Sequence, residues 1–205
     1  MFGHTAVTDQ SNIYIFGGQG LVNNNNSNIA PNDQQSNSYN LENQLTSLNC
    51  MYSLNTKTLE WTIITTTNNS SSLSLLPPSR NSHTCVLSKT KNENEESLRF
   101  IIFGGANETV GPMNDVWSFR LSAKNNKKEW EEMTCVCGRD GNGIPTAREM
   151  HSACIDEDGN SMYIIGGRNM EGSVCQDLWV LNLGMFMNQS FFPLIFHSYT
   201  YHKRC

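Results

Sequence analysis

Three histidines, each followed by a small hydroxyl residue, recur along the chain as His4-Thr5, His83-Thr84 and His151-Ser152. Three imidazoles brought to one point could hold a transition metal. Recurrence in register beside Thr or Ser argues instead for a residue that opens a strand with its ring nitrogens hydrogen-bonded, so no metal site and no cofactor are expected. Asp115 and Asp177 also recur at one offset and read as turn-capping carboxylates rather than an acid and base pair, which leaves no catalytic residue to name. Seven cysteines are scattered without a CxxC pair. Cys135-Val-Cys137 is the one close pair, and without a second pair at ligand spacing these thiols read as structural or surface residues. The chemistry that remains is recognition. Arg80, Arg148 and Arg168 could each grip a carboxylate through paired N–H donors, with Asn107 and Glu149 beside them, and these five are the candidate partner-binding residues. Arg80 and Arg148 occupy one repeated position, which favours a structural bond, whereas Arg168 is not repeated and is the stronger candidate.

The elements that would carry these residues announce themselves three times, as NIYIFGGQG from Asn12, RFIIFGGAN from Arg99 and SMYIIGGRN from Ser161. Each sets a mostly β-branched or aromatic run against a glycine pair. Upstream, the second and third copies place Pro and Arg at fixed offsets before the histidine, in PPSRNSH (Pro77 to His83) and PTAREMH (Pro145 to His151). Downstream, Asp115-Val116-Trp117 and Asp177-Leu178-Trp179 stand at equal distances from their glycines, where the first copy has Cys50-Met51-Tyr52. Trp61 and Trp130 end copies one and two, and the third copy has no closing tryptophan. Each unit therefore contains four short strand-like segments and no useful stretch of helical period, which predicts an all-β fold of small antiparallel sheets stacked face to face. Glycine turns the strand end sharply, and its missing Cβ is expected to let a Tyr or Trp ring approach the backbone.

This order of Arg, His, Gly-Gly, aromatic and Trp resembles the kelch repeat, whose units are four-stranded blades of a β-propeller. The resemblance covers residues 3–183, with insertions, and implies a repeat segment of residues 1–184 in repeats of about 1–64, 77–134 and 144–183. It implies that the strand after each histidine lines a central channel and that the tryptophan strand lies outermost. It also implies a protein-interaction module or scaffold that binds a peptide or protein partner on the face formed by the strand 2–3 and inter-blade loops, alternatively the substrate-recognition part of a ubiquitin-ligase adaptor. Copper radical oxidases and iron-dependent specifier proteins share the kelch-like propeller, but this chain has no ExxxDxxxC run and too few non-repeat histidines outside the tail that holds His197 and His202, so a metalloenzyme is not expected.

By strand alternation, the Asn-rich insertion (Gln19 to Asn49), Thr65 to Ser79, Ala106 to Asn114, Cys135 to Ala147 and Arg168 to Gln176 share the binding face. A charged loop (Ser88 to Ser97) and a basic one (Ser122 to Lys128) fall on the other face. Propellers close with 4 to 8 blades, so three copies imply an incomplete ring. The remainder could come from a longer chain, from a second copy closing three blades on three, or from a different protein; a homodimer follows if the chain is complete. Residues 185–205, with His197, Tyr199, Tyr201 and His202, match no part of the repeat and form a divergent tail of unassigned structure.

Bulk properties narrow the partner classes. A net charge of -5 gives no electrostatic reason to expect nucleic acid or an acidic membrane surface. No apolar run approaches a spanning helix, and no secretory leader opens the sequence, so a soluble cytoplasmic protein is the default. The 26 asparagines crowd into segments too polar to bury, which reads as low-complexity insertion between globular parts.

Overall fold

The computed structural model describes residues 1–22, 44–66, 76–92, 95–122, 128–137, 143–183 and 194–200. Among them every regular element is a β-strand. The first sheet uses β1 (Thr5–Thr8) and β2 (Asn12–Phe16); a hairpin of β3 (Gln19–Val22) and β4 (Gln44–Ser47) rises beyond it before β5 (Met51–Asn55) and β6 (Trp61–Ile64) complete the order β1-β2-β5-β6. The second uses β7 (Thr84–Asn92) and β8 (Glu95–Phe103), then the short pair β9 (Ala106–Asn107) and β10 (Gly111–Pro112), then β11 (Val116–Ser122) and β12 (Lys128–Met133). The third begins with β13 (Cys135–Cys137) at its rim and β14 (Arg148–Glu149), and continues through β15 (Ser152–Ile155), β16 (Ser161–Ile165), β17 (Arg168–Asn169), β18 (Asp177–Asn182) and β19 (Leu194–Thr200). Its order is β13-β19-β18-β16-β15, with β14 paired to β17 apart from it.

Side chains alternate across each strand, and two cores result. Tyr14, Phe16 and Met51 of the first sheet meet Phe100, Ile102, Trp117 and Phe119 of the second. The opposite face of the second sheet gives Ile101, Phe103, Val116 and Met133 to Met162, Ile164, Trp179, Leu181 and Phe196 of the third. This explains the unbroken run Phe100-Ile101-Ile102-Phe103: a strand covered on both faces needs no polar alternate, and all four residues are no more than 1% exposed. Each such side chain contributes about 2 kcal/mol by leaving water. The innermost strands β1, β7 and β15 lie in succession, with β7 against both of the others.

Several sequence expectations change here. The segment after Leu183 does carry structure: Leu194–Thr200 pairs with β18 from Asp177↔Thr200 to Asn182↔Ile195, filling the fourth place without a tryptophan. Register explains how, because Phe196 stands opposite Leu181 and packs edge-on against Trp179, 6.1 Å between ring centres, so one buried ring does the work of another. Tyr201 and His202 lie outside the described residues. The ends of the Asn-rich insertion are not loop but the β3–β4 hairpin, with residues 23–43 outside the described part. The charged loop Ser88 to Ser97 is mostly strand, since β7 and β8 pair out to Asn92↔Glu95. Trp61 sits on the outermost strand yet is 56% exposed, because its register places it on the face of the first sheet turned away from the second.

Candidate functional site

The glycine pairs sit where consecutive sheets meet. Gly17, Gly18, Gly104, Gly105, Gly166 and Gly167 all have positive φ, a conformation that costs other residues about 1 kcal/mol or more. The close neighbour is an imidazole and a carbonyl, not the expected Tyr or Trp. A Cβ on Gly17 would lie 2.7 Å from the Arg80 carbonyl oxygen and from His83 Cε1; one on Gly104 would lie 2.8 Å from the Arg148 oxygen and 3.1 Å from His151 Cε1. In the same places the Gly18 N–H donates to Arg80 O (2.8 Å) and the Gly105 N–H to Arg148 O (3.0 Å). Each histidine then reaches the preceding sheet's first strand: His83 Nε2 bonds Thr5 Oγ1 and His151 Nε2 bonds Thr84 Oγ1, both at 2.8 Å. Each ring thus commits its Nε2 to a separate hydroxyl, while His83 Nδ1 is buried without a hydrogen-bond partner, so the expectation that the ring nitrogens are all bonded is not met there. Burial, with the nearby arginines, lowers the His83 pKa to about 3 and that of His151 to about 4.

The repeated arginines are buried and committed within their own sheets. Arg80 is 0% exposed; it donates to Pro78 O, Gly104 O and, as a fork, to both carboxylate oxygens of Asp115 at 2.8 and 2.7 Å. Arg148, also 0% exposed, gives all five N–H groups to Thr146 O and Oγ1, Gly166 O and both oxygens of Asp177. Asp115 and Asp177 each take a further bond from the indole N–H two residues on, Trp117 and Trp179, at 2.7 Å. Burial alone would raise the Asp177 pKa, but the Arg148 and Trp179 donors outweigh it and hold the carboxyl below its usual range. These carboxylates are therefore clasps for arginine, not turn caps; the turn caps are Asp9 and Asp156, whose Oδ1 atoms accept the N–H groups of Ser11 and Asn12 and of Asn160 and Ser161. Neither buried guanidinium is placed to meet a partner.

The face carrying the strand 2–3 connections is different in kind. Its hairpins touch: Glu108 accepts from Gln19 Nε2 (2.6 Å) and from Ser47 Oγ (2.8 Å) and N (3.2 Å), which joins the second sheet's turn to the first sheet's hairpin. Those donors outweigh slight burial and lower its pKa. No sequence pattern marked Glu108, because its partners lie 61 and 89 residues away. Asn107 is consumed by its own turn, accepting from Thr109 and Val110 N–H and donating to Ser79 O. Arg168 is exposed, and Glu149 stands opposite it in register. Around them Met150 (61%), Met170 (67%), Val174 (68%) and Val110 (54%) project apolar side chains into solvent.

Burial pushes the Cys85 and Cys135 thiols up to about 12, which keeps them protonated. Among the described residues no three His, Cys, Asp or Glu side chains come together as a metal site. Nor is any helix among them long and apolar enough to cross a membrane.

Comparison with known proteins sharpens the fold. No curated protein matches the chain. Among solved structures, that of YjhT superposes with a TM-score of 0.54 at 12% identity, covering 99% of this chain and 52% of that one. A chain from RAG, solved in complex with one melted and one unmelted RSS, gives 0.55 at 16%, covering 96% of this chain and 51% of that one. The chain thus spans about half the length of these kelch-type propeller structures, and its sheets are blades of an unclosed ring. A family model for the KLHDC2/KLHL20/DRC7 Kelch-repeats domain matches residues 3–190, nearly the whole of the repeated sequence, and the protein belongs to that Kelch-repeat family.

Proposed function

We propose that the chain binds a peptide or protein segment on the strand 2–3 loop face, with Arg168 meeting a carboxylate and Met150, Met170, Val174 and Val110 seating apolar side chains. Kelch-repeat domains generally serve protein interaction and are usually not enzymes. The observation that carries the reading is the group of apolar side chains held in solvent on short turns, since exposed apolar surface on a rigid scaffold marks contact sites. Met150 shares its positive φ of 57° with Gly3 and Ser82, the residues before the other two histidines, and differs from them in presenting a long apolar side chain that is 61% exposed. Glu149, across the β14–β17 pair from Arg168, supplies a neighbouring charge of opposite sign that sets the orientation of the bound segment.

Panning the purified chain against a random displayed-peptide library tests this. Acidic peptides with adjacent apolar residues should be enriched, and Arg168→Glu should weaken them about tenfold or more through loss of a charge-assisted contact. Lys57→Glu, in the β5–β6 turn on the opposite face, serves as the control. Peptides that bind equally well to the wild type, Arg168→Glu and Met170→Asp would sink the reading.

A further inference from the structure

Between its second and third blade strands the second blade carries only the short β9–β10 pair, whereas the first carries the β3–β4 hairpin, paired from Gln19↔Ser47 out to Val22↔Gln44. Side chains alternate along such a hairpin between its two faces. Gln19 and Ser47 stand opposite each other and both reach Glu108, so their face looks over the second blade. Two residues further out Leu21 and Leu45 also stand opposite each other, and the same alternation puts them on that face. They are 61% and 46% exposed. The back of the hairpin carries Gly20 and Thr46 instead. The projecting hairpin is therefore two-sided, with its apolar pair turned inward over the neighbouring blade.

From this pair a series of contacts leads across the loop face to Arg168. Glu108, which ties the hairpin down, shares a turn with the exposed Val110. The next residue, Gly111, lies under the end of Met170, since a Cβ built on it would be 3.8 Å from Met170 Cε, so the turns of the second and third blades touch. Met170 and Val174 in turn belong to the loop that Arg168 opens. Charge is uneven along this path. Among its described residues Arg168 is the one cation, and it stands at the third-blade end. At the hairpin end the carboxylate of Glu108 already accepts three hydrogen bonds, from Gln19 Nε2 and from the Ser47 hydroxyl and N–H.

We infer that the inward face of the β3–β4 hairpin is a second anchor for the bound segment, with Leu21 and Leu45 covering the apolar end of an extended peptide from another protein whose acidic end meets Arg168. The inference rests on the reading of the loop face given above and adds the peptide's polarity and its contact with the first blade. Charge complementarity fixes the direction. An acidic residue over the hairpin would face Glu108, whereas aliphatic or aromatic residues there take two leucines out of water and strand no charge. Reversed, the apolar end would cover Arg168 and leave a desolvated cation without a carboxylate. Glu108 is then a positioning residue: its bonds to Gln19 and Ser47 hold the leucine pair over the path of the peptide.

Calorimetric titration of acidic peptides enriched on the purified chain tests this, each peptide used whole and again without its apolar end. Against the wild type the loss of that end should weaken binding about thirtyfold. The double variant Leu21→Asp, Leu45→Asp should bind the whole peptide about thirtyfold more weakly and the shortened one within about threefold of wild type, because the two changes remove the same contact. Both positions are exposed and outside the four-stranded sheets, so the circular dichroism should not change. Leu59→Asp, 71% exposed in the β5–β6 turn on the opposite face, is the control and should bind as the wild type does. Glu108→Ala should weaken the whole peptide and spare the shortened one, a split that general destabilisation would not produce. Peptides that need Arg168 yet bind the double leucine variant as tightly as the wild type would overturn the hairpin anchor and leave the reading of the loop face standing. No enrichment at all, or binding indifferent to Arg168→Glu, would overturn both.

Discussion

Where the second and third blades place Arg80 and Arg148, the first has Met1; where they place Asp115 and Asp177 it has Cys50, and where they place Trp117 and Trp179 it has Tyr52. The three parts of the clasp are absent together. That is what the energetics require, because a buried guanidinium without its carboxylate is an uncompensated charge. The clasp holds the entry segment of a blade against its own sheet, and that segment's carbonyl then meets the glycine pair of the blade before. All three blades share a backbone ladder at this place, Phe2 with Gln19, Asn81 with Ala106 and Glu149 with Arg168, so the first holds its entry segment by the ladder without the clasp.

The largest separation of the blades should come from acid. His83 and His151 stay neutral when folded because burial disfavours the imidazolium, while the unfolded chain titrates near the ordinary 6.5. Between pH 6.5 and about 4 the unfolded state therefore holds more protons, so stability is full above 6.5 and falls as pH drops, by about 3 kcal/mol for each histidine. Denaturant titrations at several pH values should show this limb, and His83→Gln should flatten it by about half. A limb unchanged in both His83→Gln and His151→Gln would mean that carboxylates govern it.

Next in size is the clasp. Asp115→Ala strands the buried Arg80 and should destabilise by about 3 kcal/mol, whereas Cys50→Ala at the matching place in the first blade should stay within about 0.5 kcal/mol. Equal losses in the two variants, read from chemical denaturation midpoints, would erase the distinction. Smaller still is the contrast between two glycines with the same backbone strain. Gly104→Ala forces a Cβ against the Arg148 carbonyl at 2.8 Å and should cost about 2 kcal/mol, while Gly166→Ala meets only the Cys175 carbonyl at an ordinary 3.8 Å and should cost about 1 kcal/mol from its positive φ alone.

Much of this architecture was legible from residues alone. The glycine pairs, the histidines and the strand order followed from spacing, since each repeats a local requirement. Leu194–Thr200 escaped because a fourth strand needs only one ring on the correct side, and Phe196 supplies it without the expected tryptophan. The glycine neighbours were misjudged for a related reason: which ring comes near the backbone depends on how two sheets meet, not on either alone. Of the site residues, recurrence favoured a structural bond for Arg80 and Arg148, but could not reveal that both are fully enclosed. Asn107 gave no sign that its amide closes its own turn, and Glu108 gave none of its long-range bonds, because both depend on loop geometry that composition does not encode.

One detail of the third blade bears on how the chain is made. Its rim strand Leu194–Thr200 is gripped from outside by Cys135–Cys137, running parallel to it, a segment that leaves the ribosome before the rest of that blade. The first two blades are built from successive residues and can form as they emerge. The third must keep Val136 waiting until Ile195 arrives, so its completion is the late, long-range step of synthesis and the interval in which an unpaired edge is open to mispairing.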